Sequence, residues 1–172
     1  MEILFLGGLF PKETENEIIN NSIGSVQNAA NNLQWEFAKG LEENSNKSIT
    51  ILNSLYIGSY PNRYKKMRIN TYNFSRNLDK SKATNVGFLN LTGIKRVSRY
   101  LSLKPFVKDW IDSKKDSKKI IIAYAMTSTF TQIFEYAKKA DNSIATCLII
   151  PDLPQYMNLS NQKKILYKLL EN

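Results

Sequence analysis

Short apolar runs, separated by longer amphipathic segments, constrain the fold of this chain more than any other feature. Residues 2–6 form a run of Ile, Leu and Phe that ends at Gly7-Gly8, and similar runs cover residues 120–126 and 144–150. Runs of this length and composition are typical of strands that are buried on both faces of a sheet. None of them approaches the ~18 to 20 apolar residues that span a bilayer.

Helical periodicity fills the segments between these runs. Apolar residues recur at steps of three to four and predict one helix after Ser25, which is placed to cap it, through Val26, Ala30, Leu33, Phe37 and Leu41. A second helix is predicted from Val97 to Ile111, with Pro105 expected to kink or split it. Residues 131–139 predict a third, and Ser160 is placed to cap a last one.

Three further strands are predicted at residues 48–57, 66–72 and 85–91, the second of them weaker and at an edge of the sheet. Strands that alternate with helices favour a parallel sheet, because parallel neighbours need helical crossovers. We therefore expect an α/β fold, a Rossmann-like three-layer sandwich with a mainly parallel sheet. The 172 residues form one domain, since a second core would find too little apolar surface.

Positive charge is concentrated in one window. The formal net charge is +9, and residues 61–104 hold eleven Lys or Arg and a single acid, Asp79, which leaves the rest of the chain close to neutral. A local basic patch attracts phosphate, anionic lipid or nucleic acid. The alternative is an ordinary solvated face that is rich in lysine.

The amino-acid composition excludes several kinds of metal site, disulfide and catalytic site. The chain contains no histidine and one cysteine, Cys147, so it has no internal disulfide, no Cys/His zinc site and no Ser-His-Asp or Cys-His dyad. Cys147 lies in an apolar run and is predicted to fill the core. Glu2 stands where a signal peptide would carry Lys or Arg, so we expect a cytoplasmic protein.

Ligands of open parallel sheets bind beyond the carboxyl ends of the strands, so the residues after each strand are the candidate site residues. Gly7 and Gly8 would let a diphosphate approach bare backbone amides, or they form only a tight turn. No dinucleotide or P-loop glycine motif accompanies them.

Cationic and hydroxyl side chains follow two further strands. Lys95, Arg96 and Arg99 begin a helix after the strand at 85–91 and predict an anion site, with a solvated basic face as the alternative. Thr127 and Ser128 lie between a strand and its helix, where hydroxyls either cap the helix or bind a sugar.

Asp152 follows the last strand between Pro151 and Pro154. The prolines favour an extended turn that directs the carboxylate toward the same edge of the sheet. There it would bond sugar hydroxyls or accept a proton from an attacking hydroxyl, unless it is only a turn residue.

Three segments together resemble the N-terminal domain of family 4 glycosyltransferases, which are GT-B enzymes. They are residues 3–8 (ILFLGG), residues 24–30 (GSVQNAA) with Leu33, and residues 151–154 (PDLP). Such enzymes have two Rossmann-like domains, an N-terminal one facing the acceptor and a C-terminal one holding the nucleotide sugar. The resemblance covers all 172 residues and implies the first half only, because no glutamate pair has the E-x7-E spacing of the second half.

The resemblance also implies roles for single residues. Gly7 and Gly8 match the loop that closes over the donor diphosphate, and the turns after Tyr124 and Ile150 match acceptor-side positions. The implied reaction retains the anomeric configuration and usually needs no metal or other cofactor. Relatives often place a histidine with a catalytic or acceptor role at the end of the strand that matches residues 120–126. This chain has none, so Asp152 or Thr127 would replace it, or the reaction would rely on the donor phosphate.

The expected function is therefore sugar transfer in bacterial surface polysaccharide or glycolipid synthesis. This N-terminal domain is expected to be inactive without the donor-binding domain. The partners would be a nucleotide-sugar donor, a sugar or lipid-linked acceptor, and an anionic membrane reached by the basic window. Two rivals stay open: a nucleic-acid-binding module using that window with Tyr60, Tyr64, Tyr72 and Phe74, and half of a nucleotide-sugar epimerase.

Overall fold

A mixed, mostly parallel sheet organises the molecule. The computed structural model describes residues 1–45, 49–75, 82–113 and 117–151. Its strands are β1 (Glu2–Gly7), β2 (Thr50–Asn53), β3 (Arg68–Ile69), β4 (Tyr72–Asn73), β5 (Lys82–Asn85), β6 (Phe88–Leu89), β7 (Lys119–Tyr124) and β8 (Ala145–Ile149). Its helices are α1 (Glu15–Asn21), α2 (Asn28–Ser45), α3 (Lys95–Asp112) and α4 (Ser128–Ala140).

Six strands form the main sheet in the order β4-β5-β2-β1-β7-β8. β1 pairs in parallel with both β2 and β7, and β5 and β8 extend the parallel part on either side. After β1, the chain adds β2, β5 and β4 on one side of it, and then crosses to the other side to add β7 and β8. This order is compatible with a Rossmann-like fold. The carboxyl ends of β1 and β7 therefore flank a topological switch point.

The predicted edge strand at residues 66–72 is two short strands. β4 lies at the edge as expected, antiparallel to β5. β3 instead pairs with β6 in a separate two-stranded sheet. Gly87, between β5 and β6, lets the backbone turn closely past β3, because a Cβ there would lie 2.4 Å from the Ile69 carbonyl oxygen.

The helices between residues 15 and 45 differ from expectation. No helix is predicted for the segment that α1 occupies, and α1 buries one side chain, Ile18. α2 is confirmed as a helix but begins at Asn28, so Ser25 lies too far upstream to cap it. The apolar face predicted for α2 is only partly correct, since Leu33 is 52% exposed.

α2 buries polar side chains instead. Its buried residues are Asn31, Gln34, Ala38 and Glu42. Asn31 and Gln34 face the sheet because their side-chain amides bond backbone groups after β1. A polar residue is stable inside when its hydrogen bonds are satisfied, and this overrides the apolar periodicity.

Pro105 lies inside α3 without splitting it. Proline removes one intrahelical hydrogen bond, here the one to the Leu101 carbonyl. Both Pro105 and Leu101 lie on the exposed side of the helix, where the Leu101 carbonyl is accessible to solvent. Of the predicted kink or split, the split is wrong, because α3 is continuous.

Alternate residues of β1 belong to two different apolar clusters. Leu4 and Leu6 pack with Leu103 of α3 and Phe130 of α4. Ile3, Phe5 and Ala38, the last from α2, belong to the second cluster. Because successive side chains of a strand point to opposite faces, both faces of the sheet centre are buried.

β8 is confirmed as a strand, but the prediction that Cys147 fills the core is wrong. β8 is the edge strand of the sheet, and its first three residues, Cys147 among them, are exposed. The helix expected after Ser160 lies outside the described residues, as does Asp152.

Candidate functional site

A cavity of about 820 Å³ opens at the carboxyl edge of the sheet. Three segments line it: residues 22–30 without Gly24, which include the first turn of α2; residues 56–58 after β2; and residues 124–127 at the end of β7. Arg63, Arg99 and Pro151 complete the lining. The cavity therefore lies beside the switch point, where open α/β sheets bind their ligands.

Tyr124 contributes to this cavity through its backbone. Its side chain is buried, at 2% exposure, and its carbonyl accepts a hydrogen bond from the Tyr56 hydroxyl. Ala125 follows with a φ of 69°, a conformation that L-residues other than Asn and Asp rarely adopt. A non-glycine residue held there is over-determined by its surroundings, in this case by the bond from its amide to the Ile149 carbonyl oxygen (2.9 Å).

Arg99 is the most unusual side chain of the site. It projects from α3 and is only 8% exposed. Its Nε donates to Ser54 Oγ and its Nη2 donates to the Ser54 carbonyl, each at 2.7 Å. The rings of Tyr56, Phe88 and Phe130 surround the guanidinium, with centroids within 6 Å of Cζ. Burial lowers the pKa of Arg99 to about 10.

Lys95 lies one turn before Arg99 on the same helix. Its ammonium donates to the Ile57 carbonyl, next to the cavity. Burial, reinforced by the Arg99 charge, lowers the pKa of Lys95 to about 8. Arg96 between them is exposed. The structure thus brings the three predicted cations together at the start of one helix.

A second cavity, of about 530 Å³, adjoins the first. It is lined by residues 93–97 and 127–129 without Ile94, and Arg99 and Thr127 border both cavities. The beginnings of α3 and α4 therefore face one space, which we call the anion cavity.

Thr127 caps α4, as its position predicts. Its Oγ1 accepts a hydrogen bond from the Phe130 amide at 3.3 Å. Capping occupies one acceptor position of this hydroxyl, and its O–H donor stays able to bind a sugar oxygen. Ser128, the first residue of α4, also lines the anion cavity.

The glycine turn after β1 does not have the bare amides that the sequence predicts. The Gly8 amide donates to Gln34 Oε1 (2.7 Å), the Leu9 amide to Asn53 Oδ1 (2.6 Å), and the Phe10 amide to Asn31 Oδ1 (2.7 Å). Gly8 also lies under the Tyr56 ring, since an added Cβ would approach that ring to 2.2 Å. Diphosphate binding by Gly7 and Gly8 stays a prediction that this geometry does not favour.

Sequence reasoning missed Tyr56 and Ser54. Both follow β2, so the strand-end rule that selected the other candidates was applicable to them. The predicted strand was too long, reaching residue 57, and this hid its true carboxyl end at Asn53. Burial raises the pKa of the Tyr56 hydroxyl, which keeps it a neutral donor.

Asp152, the predicted catalytic residue, lies outside the described residues, and the cavity reaches its neighbour Pro151. In the described part of the chain no three His, Cys, Asp or Glu side chains are grouped to hold a metal ion. Within the same ranges, no helix has the length and hydropathy needed to cross a membrane. No family model, no curated protein and no solved structure matches the chain.

Proposed function

We propose that the chain is the acceptor-side domain of a retaining glycosyltransferase with two Rossmann-like domains. The resemblance of residues 3–8, 24–30 and 151–154 to family 4 enzymes suggests this activity. In this proposal the larger cavity receives the acceptor, and a second domain, over the same edge of the sheet, holds most of the nucleotide sugar. The domain alone would then bind substrate without transferring sugar.

The observation that carries the proposal is the cavity beside the switch point, bordered by the buried Arg99. A structural arginine needs no open space beside it, whereas a ligand-binding one does. The volume suits a saccharide-sized ligand, since small-molecule sites commonly enclose ~300 to 1,000 Å³.

The proposal includes a three-layer arrangement of the fold. Alternate β1 residues pack with α2 in one cluster and with α3 and α4 in the other. α3 and α4 also contact each other. Helices on both faces would leave only the strand ends open to a ligand.

Work at a membrane surface is the second part of the proposal. Five apolar side chains are 40 to 59% exposed near the start of α3 and on the small sheet: Met67, Leu89, Ile94, Val97 and Leu101. Leu89 lies beside α3, because its amide donates to Ser98 Oγ, and its strand partner is Arg68. We call this set the apolar-basic surface, since the exposed Arg68 and Arg96 are direct chain neighbours of Met67 and Val97. Apolar side chains among cations suit an anionic lipid surface.

The nucleic-acid rival is less well supported by the same residues. Its stacking residues Tyr64 and Phe74 are buried, and Tyr72 is half-buried with its hydroxyl bonded to Thr14. Binding of single strands needs exposed aromatic faces. Among the window's cations, Arg99 is buried and Lys66 is paired with Glu17.

The test is a transfer assay on the chain joined to the polypeptide encoded directly after Asn172. We expect labelled sugar from a nucleotide sugar to appear on a saccharide or lipid acceptor, with retention and in the presence of EDTA. The 172-residue chain alone is the control and should transfer nothing. Epimerised free sugar would identify the epimerase instead. Salt-sensitive oligonucleotide binding without any sugar product would overturn the proposal.

A further inference from the structure

The charge on Arg99 has no acidic partner in the described part of the chain. Its two hydrogen bonds within the described residues go to Ser54, a neutral residue, and no described carboxylate forms an ion pair with it. The remaining nitrogen, Nη1, has no hydrogen-bond partner among the described residues. The hydrogen bonds to Ser54 and the three aromatic rings offset part of the cost of burying this charge, and a bound anion would offset more of it.

A second cation, Lys95, increases the electrostatic cost of burying the Arg99 charge. Lys95 is half-buried one helical turn away, and within the described residues its ammonium bonds only a backbone carbonyl, at Ile57. Two cations of like sign at positions four apart on a helix repel each other. An anion between them would convert this repulsion into two attractions.

The N-terminal ends of α3 and α4 also favour a bound negative charge. Neither α3 nor α4 has an acidic residue in its first turn, and α3 begins with Lys95 and Arg96 at its positive end. Cations at that end are unfavourable, whereas anions are stabilised there. Thr127 caps only the Phe130 amide, and the first amides of α4 have no intrahelical acceptor.

We infer that the anion cavity binds a phosphate group carried by the acceptor, with Arg99 Nη1 and the Lys95 ammonium as its main contacts. Arg99 serves the reaction as a positioning residue that orients a phosphorylated acceptor. This inference rests on the proposed function for the word acceptor, but not for phosphate binding itself. The adjoining larger cavity would hold the saccharide to which the phosphate is attached, since Arg99 borders both spaces.

The experiment measures phosphate binding by calorimetry on the folded 172-residue chain in a phosphate-free buffer. The probes are inorganic phosphate, a hexose 6-phosphate, the same hexose without phosphate, and a short-chain lipid phosphate. We expect binding of the phosphorylated probes and not of the free hexose. The tighter of the hexose and lipid phosphates identifies the source of the group.

Two substitutions locate the binding. Lys95→Met should lower the affinity for phosphate by at least about tenfold, which is the usual effect of losing one charge-assisted hydrogen bond. Lys39→Met on α2 removes the same charge from an exposed position and is the matched control. Because Arg99→Met risks unfolding, Arg99→Lys keeps the charge and tests the geometry of the guanidinium, and it should also weaken binding.

Equal phosphate affinity in Lys95→Met and Lys39→Met, or no binding at tens of millimolar phosphate, would overturn the inference. The outcome is separable from that of the transfer assay. Phosphate binding without sugar transfer would support the phosphate site in the anion cavity and would reject the proposed glycosyltransferase function. Transfer that proceeds equally well in Lys95→Met would keep the enzyme and reject the phosphorylated acceptor.

Discussion

The side-chain oxygen of Gln34 lies 2.7 Å from the amide nitrogen of Gly8. Gln34 is fully buried on α2, and this bond ties the helix to the turn that ends β1. Asn53 acts in the same way from β2, because it accepts from the Leu9 amide and donates to Asn85 of β5. Buried side-chain amides thus take the place of a ligand at this turn.

Replacing Gln34 by Leu tests how much the Gln34–Gly8 hydrogen bond contributes to stability. The substitution leaves the buried Gly8 amide without an acceptor, so we expect a loss of about 1 to 3 kcal/mol in the free energy of unfolding. Urea denaturation measures it. Asn32→Leu, on the exposed side of the same helix, should change stability by less than ~0.5 kcal/mol. Equal losses in both variants would contradict the role assigned to Gln34.

Two glycine substitutions should have opposite effects. Gly8→Ala places a methyl group 2.2 Å from the Tyr56 ring, which must then move, so we expect destabilisation of about 1 to 3 kcal/mol. Gly40→Ala meets no atom within 4 Å inside α2 and should stabilise by about 0.5 to 1 kcal/mol. Thermal unfolding of the two variants checks the contrast. A stable Gly8→Ala protein would show that Tyr56 does not cover the turn tightly.

Lys95 gives the unfolding free energy a defined pH dependence. Its pKa is about 8 in the folded chain and near 10.5 when unfolded, so between these values the unfolded chain binds more protons. Stability should therefore rise with pH above about 8, by about 1 kcal/mol or less between pH 7 and pH 9, since the side chain is partly screened by water. Below pH 8 the charge is present in both states and the penalty is constant.

Subtracting the pH profile of Lys95→Met isolates this contribution. The difference between wild type and variant should show the rise, while the difference between wild type and Lys39→Met should be flat. Tyr56 and Tyr64 have pKa values raised by burial, so their opposite effect begins only above pH 10. A flat difference for Lys95→Met would contradict the lowered pKa.

The apolar-basic surface is tested with Val97→Ser combined with Leu101→Ser. These side chains are 56 and 59% exposed, so folding should be nearly unaffected. We expect binding to anionic vesicles, measured by flotation, to fall about tenfold because apolar area no longer enters the lipid interface. Leu33→Ser on α2 removes a similarly exposed leucine elsewhere and should bind like wild type. Flotation that shows no preference for anionic lipid would reject membrane docking.

Helical periodicity and buried apolar runs were predictable because they depend on local patterns. The apolar runs identified β1, β7 and β8, and the helical spacing identified α2, α3 and α4. The strand-end rule then selected Lys95, Arg99 and Thr127, which the structure brings to adjoining cavities. These inferences need only the neighbours of each residue along the chain.

Long-range hydrogen bonding was not predictable. Asn31 and Gln34 are buried because they bond amides 21 and 26 residues away, a relationship that no local pattern encodes. The same partners remove the free amides expected at Gly8. Cys147 shows the related limit for sheets, since an apolar run does not reveal that its strand lies at an edge.

The exposed position of Cys147 on β8 makes the chain a ready sensor. As the sole cysteine, it accepts a maleimide dye at one defined site without any engineered substitution. Its strand ends at Ile149, whose carbonyl holds the amide of Ala125 at the mouth of the larger cavity. A change in the fluorescence of that dye on addition of a ligand would report binding near the end of β8.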